Sequence, residues 1–295
     1  MFTKKRPDGT YIRDIHFLNQ IMPYLLPTKV DATIYFEYEF DVTKAIEFAR
    51  KKKGDQSAPK ITLFYIILYA SLRTIAQRPK LNRFISGYRF YQRNSISFTF
   101  VAKRSLTDDG EEFTVTISAS PLISLDDFCK KIHEQIFSLR KGASSNTEKL
   151  NSFVARLPRP LIKFVVWVIK FLDYHNALPK SAIDAIPFFT TVFFANLGSV
   201  GVEAVYHHNY EIGNCGLFVT IGKARKETCL KPDGTTETRD KVKMRITYDD
   251  RIVDGIYCAR AIEIIRNLVE NPEQLEIPLE LTDEQLAELA LSEKC

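Results

Sequence analysis

The stretch Ile246–Gly255, ITYDDRIVDG, decides the fold prediction. Its first residues include β-branched and aromatic side chains, which are typical of a strand. Asp254-Gly255 then predicts a tight turn and the start of a helix, because Asp caps free helix amides and Gly permits the turn. The sequence therefore predicts a strand that runs directly into a helix, with carboxylates at the junction.

Strands and helices alternate on both sides of this junction. Strands are predicted at 32–40, 88–91, 95–103, 113–118, 188–195, 217–223 and 241–248, with a hairpin connection at 228–240. Helices are predicted at 44–53, 60–78, 124–140, 160–172, 256–268 and 280–292. This order predicts an α/β two-layer sandwich, in which one large mixed sheet of mostly antiparallel strands is covered by helices.

Composition excludes several classes of protein. The chain has 295 residues, 45% of them hydrophobic and 26% charged, which is typical of a globular domain and not of a disordered chain or a coiled coil. Lys and Arg number 41 and Asp and Glu 36, and this net charge of +5 is too mild for a dedicated nucleic-acid binder. The basic run Arg50–Lys53 indicates the end of a helix, with a phosphate contact as the alternative.

The chain shows no signal for secretion or for a thiol-based metal site. Its five cysteines are scattered without a C-x-x-C pair, and its first residues contain no apolar stretch. We therefore expect a cytoplasmic protein with reduced thiols and without a metal. Gly-rich phosphate loops, G-x-S-x-G and H-E-x-x-H are also absent from the sequence.

The junction resembles the signature of the chloramphenicol acetyltransferase superfamily. In particular, it resembles the catalytic domain of the dihydrolipoyl acyltransferases of 2-oxo acid dehydrogenase complexes, where the motif commonly runs aromatic-Asp-His-Arg-x-x-Asp-Gly. Tyr248-Asp249 and Arg251–Gly255, with Asp254, match this motif, and Asp250 stands where the family has its His.

A second stretch, Phe193–Gly201 (FFANLGSVG), resembles the family's T-x-S-N-L-G-x-x-G strand and turn. Asn196 and Gly198 match it, whereas Phe193 replaces the Thr and Ala195 replaces the Ser. The two motifs together are far more specific than either alone. The resemblance therefore predicts the superfamily's two-layer sandwich fold for this chain.

The resemblance also predicts how the chain is divided. It assigns residues 32–270 to an acyltransferase-like catalytic domain, with 142–187 as an insertion relative to the complex-bound enzymes. Residues 1–31 are predicted to be an irregular lead-in segment and 271–295 a C-terminal tail. Within the insertion, 142–151 (GASSNTEKLN) has the composition of a linker.

The departures from the motifs concern catalysis. In the family the His acts as general base on a thiol or hydroxyl that attacks an acyl thioester; an Asp, with an ordinary pKa of about 3.9 against about 6.5, is a poorer base. Arg251 would tend to keep Asp250 charged if the two were close. Ala195 lacks the hydroxyl that stabilises the oxyanion, a loss that typically costs about 10²–10³ in rate. We therefore expect an inactive or altered homologue that binds a ligand or partner.

Two alternatives remain. His207 or His208 could supply a relocated base in a working, stand-alone CoA-dependent acyltransferase, although a polar loop or subunit contact would also account for them. The chain could instead be a structural or assembly subunit. The resemblance implies a homotrimer with active-site channels between subunits, and CoA or acyl-CoA as substrate; no lipoyl domain is recognisable in the sequence.

The segment 160–172, PLIKFVVWVIKFL, is apolar but too short to cross a bilayer, which needs about 20 apolar residues. Lys163 and Lys170 lie seven residues apart and so share one helical face. The segment is expected to be a helix buried in a core or a subunit interface. The alternative is an interfacial helix that lies on a membrane or caps an acyl-binding groove.

Overall fold

In the computed structural model, which describes residues 3–53, 60–105, 107, 109–143 and 145–291, a seven-stranded mixed sheet forms the centre of the fold. The strands are β1 Gly9–Tyr11, β2 Thr33–Asp41, β3 Arg83–Ser86, β4 Arg89–Arg93, β5 Ile96–Lys103, β6 Glu112–Ala119, β7 Val192–Asn196, β8 Leu217–Ile221, β9 Arg225–Leu230 and β10 Thr236–Asp249. The large sheet has the order β2-β10-β8-β7-β5-β6, and β9 pairs with β10. Strands β1, β4 and β3 form a separate small sheet.

The large sheet is mixed because β7 lies parallel to both of its neighbours, β5 and β8. Its other strand pairs are antiparallel, including β10 with β2, β8 and β9. The predicted mixed sheet of mostly antiparallel strands is confirmed. β10 is longer than its prediction because its first residues form the expected hairpin with β9, whereas β7 starts later than the predicted strand at 188.

The helices of the described chain are α1 Phe17–Leu25, α2 Thr43–Lys53, α3 Leu63–Gln77, α4 Leu125–Arg140, α5 Asn146–Ala155, α6 Arg159–Tyr174, α7 Lys180–Ala185, α8 Gly255–Glu270 and α9 Asp283–Leu289. Helices α3 and α8 contact each other and contribute Ile66, Leu68, Ile262 and Ile265 to the main core. Each predicted helix is found, with bounds that shift by a few residues. The basic run Arg50–Lys53 forms the last turn of α2, as expected.

The main core lies between α3, α8 and one face of the large sheet. Phe98, Phe194, Met244 and Tyr248 point into it from the sheet, and each is at most 1% exposed. The alternation of strand residues places neighbouring side chains on the opposite face. There a second, smaller cluster holds α5–α7, with Leu178, Ile183, Ile186 and Phe189 at its centre.

The lead-in segment is more ordered than its predicted irregular structure. β1 pairs with β4, and α1 follows it. The guanidinium of Arg6, with 1% of its side chain exposed, pairs with Asp8 at 2.8 Å and with Asp173 of α6 at 2.8 Å. A three-residue strand and isolated buried cations leave no periodic pattern in a sequence, which is why the prediction was wrong here.

The predicted linker at 142–151 is also partly wrong, because α5 begins inside it. The Ser145 hydroxyl accepts a hydrogen bond from the Glu148 amide, and the Glu148 carboxylate accepts one from the Ser145 amide. This reciprocal cap is the S-x-x-E signature of a helix start. At the other end of the chain, Leu275 and Leu289 of the predicted tail are at most 1% exposed and belong to the main core.

Candidate functional site at the β10–α8 junction and β7

Asp250 follows β10 directly and lies beside a buried phenol. Its backbone amide donates to the Ala32 carbonyl at 2.8 Å, and its Oδ1 accepts a hydrogen bond from the Tyr248 hydroxyl at 3.2 Å. Burial and the nearby Asp250 charge raise the pKa of Tyr248 above its usual range. The phenol therefore stays protonated and remains a donor to Asp250.

Arg251 pairs with Asp249 and not with Asp250. Its Nε and Nη2 donate to the two carboxylate oxygens of Asp249 at 2.8 and 2.7 Å, and its Nη1 donates to the Leu26 carbonyl at 2.9 Å. Both side chains are at most 5% exposed. The expectation that Arg251 could hold Asp250 charged is therefore corrected, since a bidentate buried pair fixes the guanidinium elsewhere.

Asp254 caps α8 as the sequence predicts. Its Oδ1 accepts a hydrogen bond from the Tyr257 amide at 2.8 Å. Gly255 is the first residue of the helix, and a Cβ placed there would meet no atom within 4 Å. Within the described chain, the turn therefore does not require a glycine at 255, contrary to the expected reason for its presence.

The motif on β7 is tied to the neighbouring backbone. A Cβ at Gly198 would lie 2.4 Å from the carbonyl oxygen of Gly222, so glycine is required there. Asn196 precedes the short 3-10 turn Leu197–Val200, and its carbonyl accepts a hydrogen bond from the Ser199 hydroxyl at 2.7 Å. Ala195 is half-buried and packs against a cluster on the outer face of the sheet, formed by Phe193, Cys215 and Phe218.

Strand register separates the two substituted positions within one chain. Ala195 of β7 is opposite Thr220 of β8, which is opposite Arg245 of β10. Asp250 lies five residues beyond Arg245, so the two positions are about 10 Å apart across the strands and about 17 Å apart along them. Ala195 and Asp250 therefore do not form one site within a single chain.

His207 reaches the outer-face cluster on which Ala195 packs. Its ring stacks on Phe218 with centroids 3.9 Å apart and planes 7° apart. Its Nδ1 lies 2.8 Å from the carbonyl oxygen of His208. Because a carbonyl oxygen only accepts, Nδ1 carries the hydrogen of this bond, and in the neutral ring Nε2 is the nitrogen with the lone pair. His208 is more exposed, and its ring centroid lies 4.7 Å from that of His207.

Two cavities adjoin these elements. One, of about 250 Å³, is lined by charged groups that include Lys29, Asp173, Glu211 and Arg251. The second, of about 270 Å³, lies between α5, α6 and the outer face of the sheet, and its lining is mostly apolar. Its walls include Val154, Val165, Ile169, Phe193 and Tyr210.

Sequence reasoning missed Lys29 in the first cavity. Its Nζ donates to the carbonyls of Tyr210 and Gly213 at 2.7 and 2.9 Å, and burial lowers its pKa. An isolated lysine in a lead-in segment gives no signal by spacing or motif. Within the described ranges, no three His, Cys, Asp or Glu side chains come together as ligands for a metal ion.

The family resemblance is supported by sequence. A sequence model of the family described as 2-oxoacid dehydrogenases acyltransferase (catalytic domain) matches residues 190–277. This range contains both motifs, Phe193–Gly201 and Ile246–Gly255. A search of curated proteins finds no match to the chain.

Solved structures of acyltransferases share the fold. A probable dihydrolipoamide acetyltransferase from Listeria monocytogenes is 15% identical, with 89% of this chain and 95% of that chain covered and a TM-score of 0.57. The cubic core of the pyruvate dehydrogenase multienzyme complex is 14% identical, with 90% and 94% covered and a TM-score of 0.57. A chloramphenicol acetyltransferase is 14% identical, with 89% and 98% covered and a TM-score of 0.54.

The two motifs, the match over 190–277 and the similar structures agree with one another. At these low identities the solved structures show a shared fold alone. The family model adds a similarity in sequence over residues 190–277, which include β7 and the β10–α8 junction. The chain is therefore a chloramphenicol acetyltransferase-like protein in fold, and its residues 190–277 resemble the catalytic domain of the 2-oxo acid dehydrogenase acyltransferases.

Proposed function

We propose that this chain is a homologue of the CoA-dependent acyltransferases that has lost or altered acyl transfer and retains the binding of an acyl thioester. The observation that carries the proposal is the pair of substitutions at motif positions, Asp250 for the family's His and Ala195 for its Ser. One removes the imidazole base and the other removes the oxyanion hydroxyl. Both substitutions weaken the same reaction.

The surroundings of Asp250 support this proposal. One of its oxygens accepts a hydrogen bond from the Tyr248 hydroxyl, so that oxygen already has one donor within the protein. Arg251, the cation next to it in the sequence, is held by Asp249. The described contacts thus give the Asp250 carboxylate no arrangement that would activate an attacking thiol or hydroxyl.

We further propose a homotrimer with the ligand channel between subunits. Ala195 and Asp250 are far apart within one chain, so a site that uses both must combine positions from two copies. The acyl group would lie in the apolar cavity of about 270 Å³, because this cavity shares Phe193 and Tyr210 with the surroundings of Ala195. Such a cavity suits an acyl chain, whose burial is favourable in proportion to its apolar area.

Restoring the family residues tests the proposal. The wild-type chain and the variants Asp250→His, Ala195→Ser and their combination are incubated with acetyl-CoA and dihydrolipoamide, and CoA release is followed chromatographically. We expect no release by wild type, and release by the double variant exceeding that of Asp250→His by up to about 10²–10³. Equal turnover by wild type and the double variant would contradict a lost or altered reaction.

Ligand binding is measured separately by titrating wild type with acetyl-CoA and with CoA in a calorimeter. We expect saturable binding that weakens in Val165→Asp, which places a charge in the apolar cavity, and that is unchanged in Val30→Asp, an exposed control. A stable trimer with neither turnover nor CoA binding would instead support a structural or assembly subunit.

The position of His207 favours one second candidate, a working acyltransferase with a relocated base. Its Nε2 is the free base atom, and its ring and Ala195 both lie on the outer-face cluster around Phe218. This candidate predicts acetyl-CoA turnover by wild type that His207→Ala abolishes. His208→Ala, at the adjacent and more exposed ring, is the matched control and should keep its activity, as should Asp250→Ala.

A further inference from the structure

The outward face of α6 carries a ladder of three stacked aromatic rings. The ring centroids of Phe164 and Trp167 are 6.0 Å apart, and those of Trp167 and Phe171 are 5.3 Å apart, with planes tilted by 24° and 22°. The three side chains are 57%, 58% and 39% exposed. Contiguous exposed apolar surface of this kind marks a contact surface.

The opposite face of α6 holds the helix in place. Ile169 and Leu172 pack against the cluster that includes Ile183. At the C-terminal end, the Asp173 carboxylate pairs with the buried Arg6 guanidinium at 2.8 Å. α6 is therefore fixed on the molecule with the aromatic ladder outward.

Basic residues flank the ladder along the sequence, and the Asp173 carboxylate that follows it is paired with Arg6. From Lys149 to Leu172 the sequence contains five Lys and Arg residues and no Asp or Glu. Lys163 and Lys170 are exposed and lie beside the ladder on α6 itself. A surface that combines aromatic rings with cations is complementary to a partner that presents anions above an apolar layer.

The same surface continues onto α1. Tyr88 lies between the two helices, since its ring stacks on Tyr24 of α1 at 4.8 Å and meets Tyr174 of α6 edge-on at 6.0 Å. Phe17 and Leu25 of α1 are each 66% exposed. The apolar surface is thus broader than one helix face.

We propose that α6 binds peripherally to a bilayer of anionic phospholipids. Phe164, Trp167 and Phe171 enter the boundary between headgroups and acyl chains, and Lys163 and Lys170 contact lipid phosphates. None of the described helices has both the length and the apolar composition needed to cross a bilayer. α6 therefore lies along the membrane surface. This inference does not depend on acyl transfer or on CoA binding.

Trp167 gives a direct test, because it is the single tryptophan of the chain. The full chain is titrated with vesicles of phosphatidylcholine containing about one third phosphatidylglycerol, and with vesicles of phosphatidylcholine alone. We expect Trp167 emission to shift to shorter wavelength and to be quenched by brominated acyl chains in the anionic vesicles. The shift should decrease with added salt, since screening weakens the attraction.

Charge reversal identifies the surface that binds. Lys163→Glu with Lys170→Glu should lower the vesicle partition coefficient by at least about tenfold, since each basic residue near the surface contributes about 1 kcal/mol. Lys226→Glu with Arg260→Glu, an equal charge change at exposed positions on other elements, is the matched control and should lower it much less. Phe164→Ser should also weaken partition, and Leu230→Ser, at a 76% exposed site of β9, should not.

Far-UV circular dichroism checks that each variant is folded. We expect all of them to fold, because the substituted side chains are exposed. Equal partition of the Lys163→Glu, Lys170→Glu variant and its control would overturn the proposal. The proposal would also be overturned if Trp167 emission were blue-shifted without lipid, depended on protein concentration and did not respond to vesicles. That result would show that a second copy of the chain covers the aromatic ladder.

Discussion

Helices α3 and α6 have similar lengths and similarly apolar sequences, but they are used in opposite ways. α3, with 15 residues, buries all its positions from Tyr65 to Ala76. α6 has 16 residues, and none of them, as described, is fully buried. The expectation for α6 is burial in a core or a subunit interface; within this chain only one of its faces packs against a core cluster, and burial in a subunit interface stays a prediction. Apolar composition alone does not say what covers a helix.

Removing Arg6 should lower the free energy of unfolding the most. The buried ion pair of Arg6 with Asp173 anchors α6, whereas α3 is held by apolar burial. In Arg6→Ala the carboxylates of Asp8 and Asp173 lose the buried cation between them. We expect a loss of about 3–5 kcal/mol in the free energy of unfolding. Urea denaturation measures it, with Arg13→Ala at an exposed position as the control. A loss equal to that of the control would show that α6 is held without this anchor.

A matched leucine pair tests the difference in burial directly. Leu68 of α3 is 0% exposed and Leu161 of α6 is 42% exposed. Leu68→Ala should cost about 2–5 kcal/mol of stability because it leaves a cavity in the core. Leu161→Ala should change stability by no more than about 0.5 kcal/mol. Similar losses in both variants, measured by urea denaturation, would mean that α6 is covered in solution.

The anchor of α6 should also respond to pH. Burial raises the pKa of Asp173 above its ordinary value of 3.8, although the Arg6 charge opposes this. Because the pKa of Asp173 is higher in the folded state, its protonation adds to the free energy of unfolding below pH 3.8. This contribution is lost as the pH rises through the folded-state pKa. An asparagine does not titrate, so the Asp173→Asn variant does not lose this contribution. The free energy of unfolding of the variant relative to wild type should therefore increase as the pH rises above 3.8. Urea denaturation over that range measures the trend, and a relative stability independent of pH would contradict it.

The two motif glycines should respond differently to alanine. Gly198→Ala should destabilise the fold, because its Cβ would meet the Gly222 carbonyl oxygen at 2.4 Å. Gly255→Ala should be neutral or stabilise the chain by up to about 1 kcal/mol, since the position is helical and open. Thermal unfolding measures both variants. If Gly255→Ala unfolds at the wild-type temperature but forms a smaller oligomer, another subunit contacts α8 at residue 255.

Features set by neighbouring residues could be predicted from the sequence. The Asp254 cap of α8 and the β9–β10 hairpin follow from local rules, and both are found. The Ser145–Glu148 cap obeys an equally local rule but lies within a polar stretch that has the composition of a linker. Its S-x-x-E spacing was the signal that could have identified it.

Features set by contacts between distant segments could not be predicted in this way. The pairing of Arg251 with Asp249, the burial of Lys29 and the distance between Ala195 and Asp250 depend on which strands and loops meet. A motif gives the order of residues along one strand. Only the register across β7, β8 and β10 shows that the two substituted positions, Ala195 and Asp250, lie far apart within one chain.

The pairing of β2 with β10 has a consequence for synthesis of the protein. Asp41 pairs with Lys241, which is encoded two hundred residues later. At about 5–20 residues per second, a ribosome needs roughly 10–40 s to cover that interval. During this time the nascent chain exposes β2 without its partner strand. The sheet is therefore completed only near the end of translation.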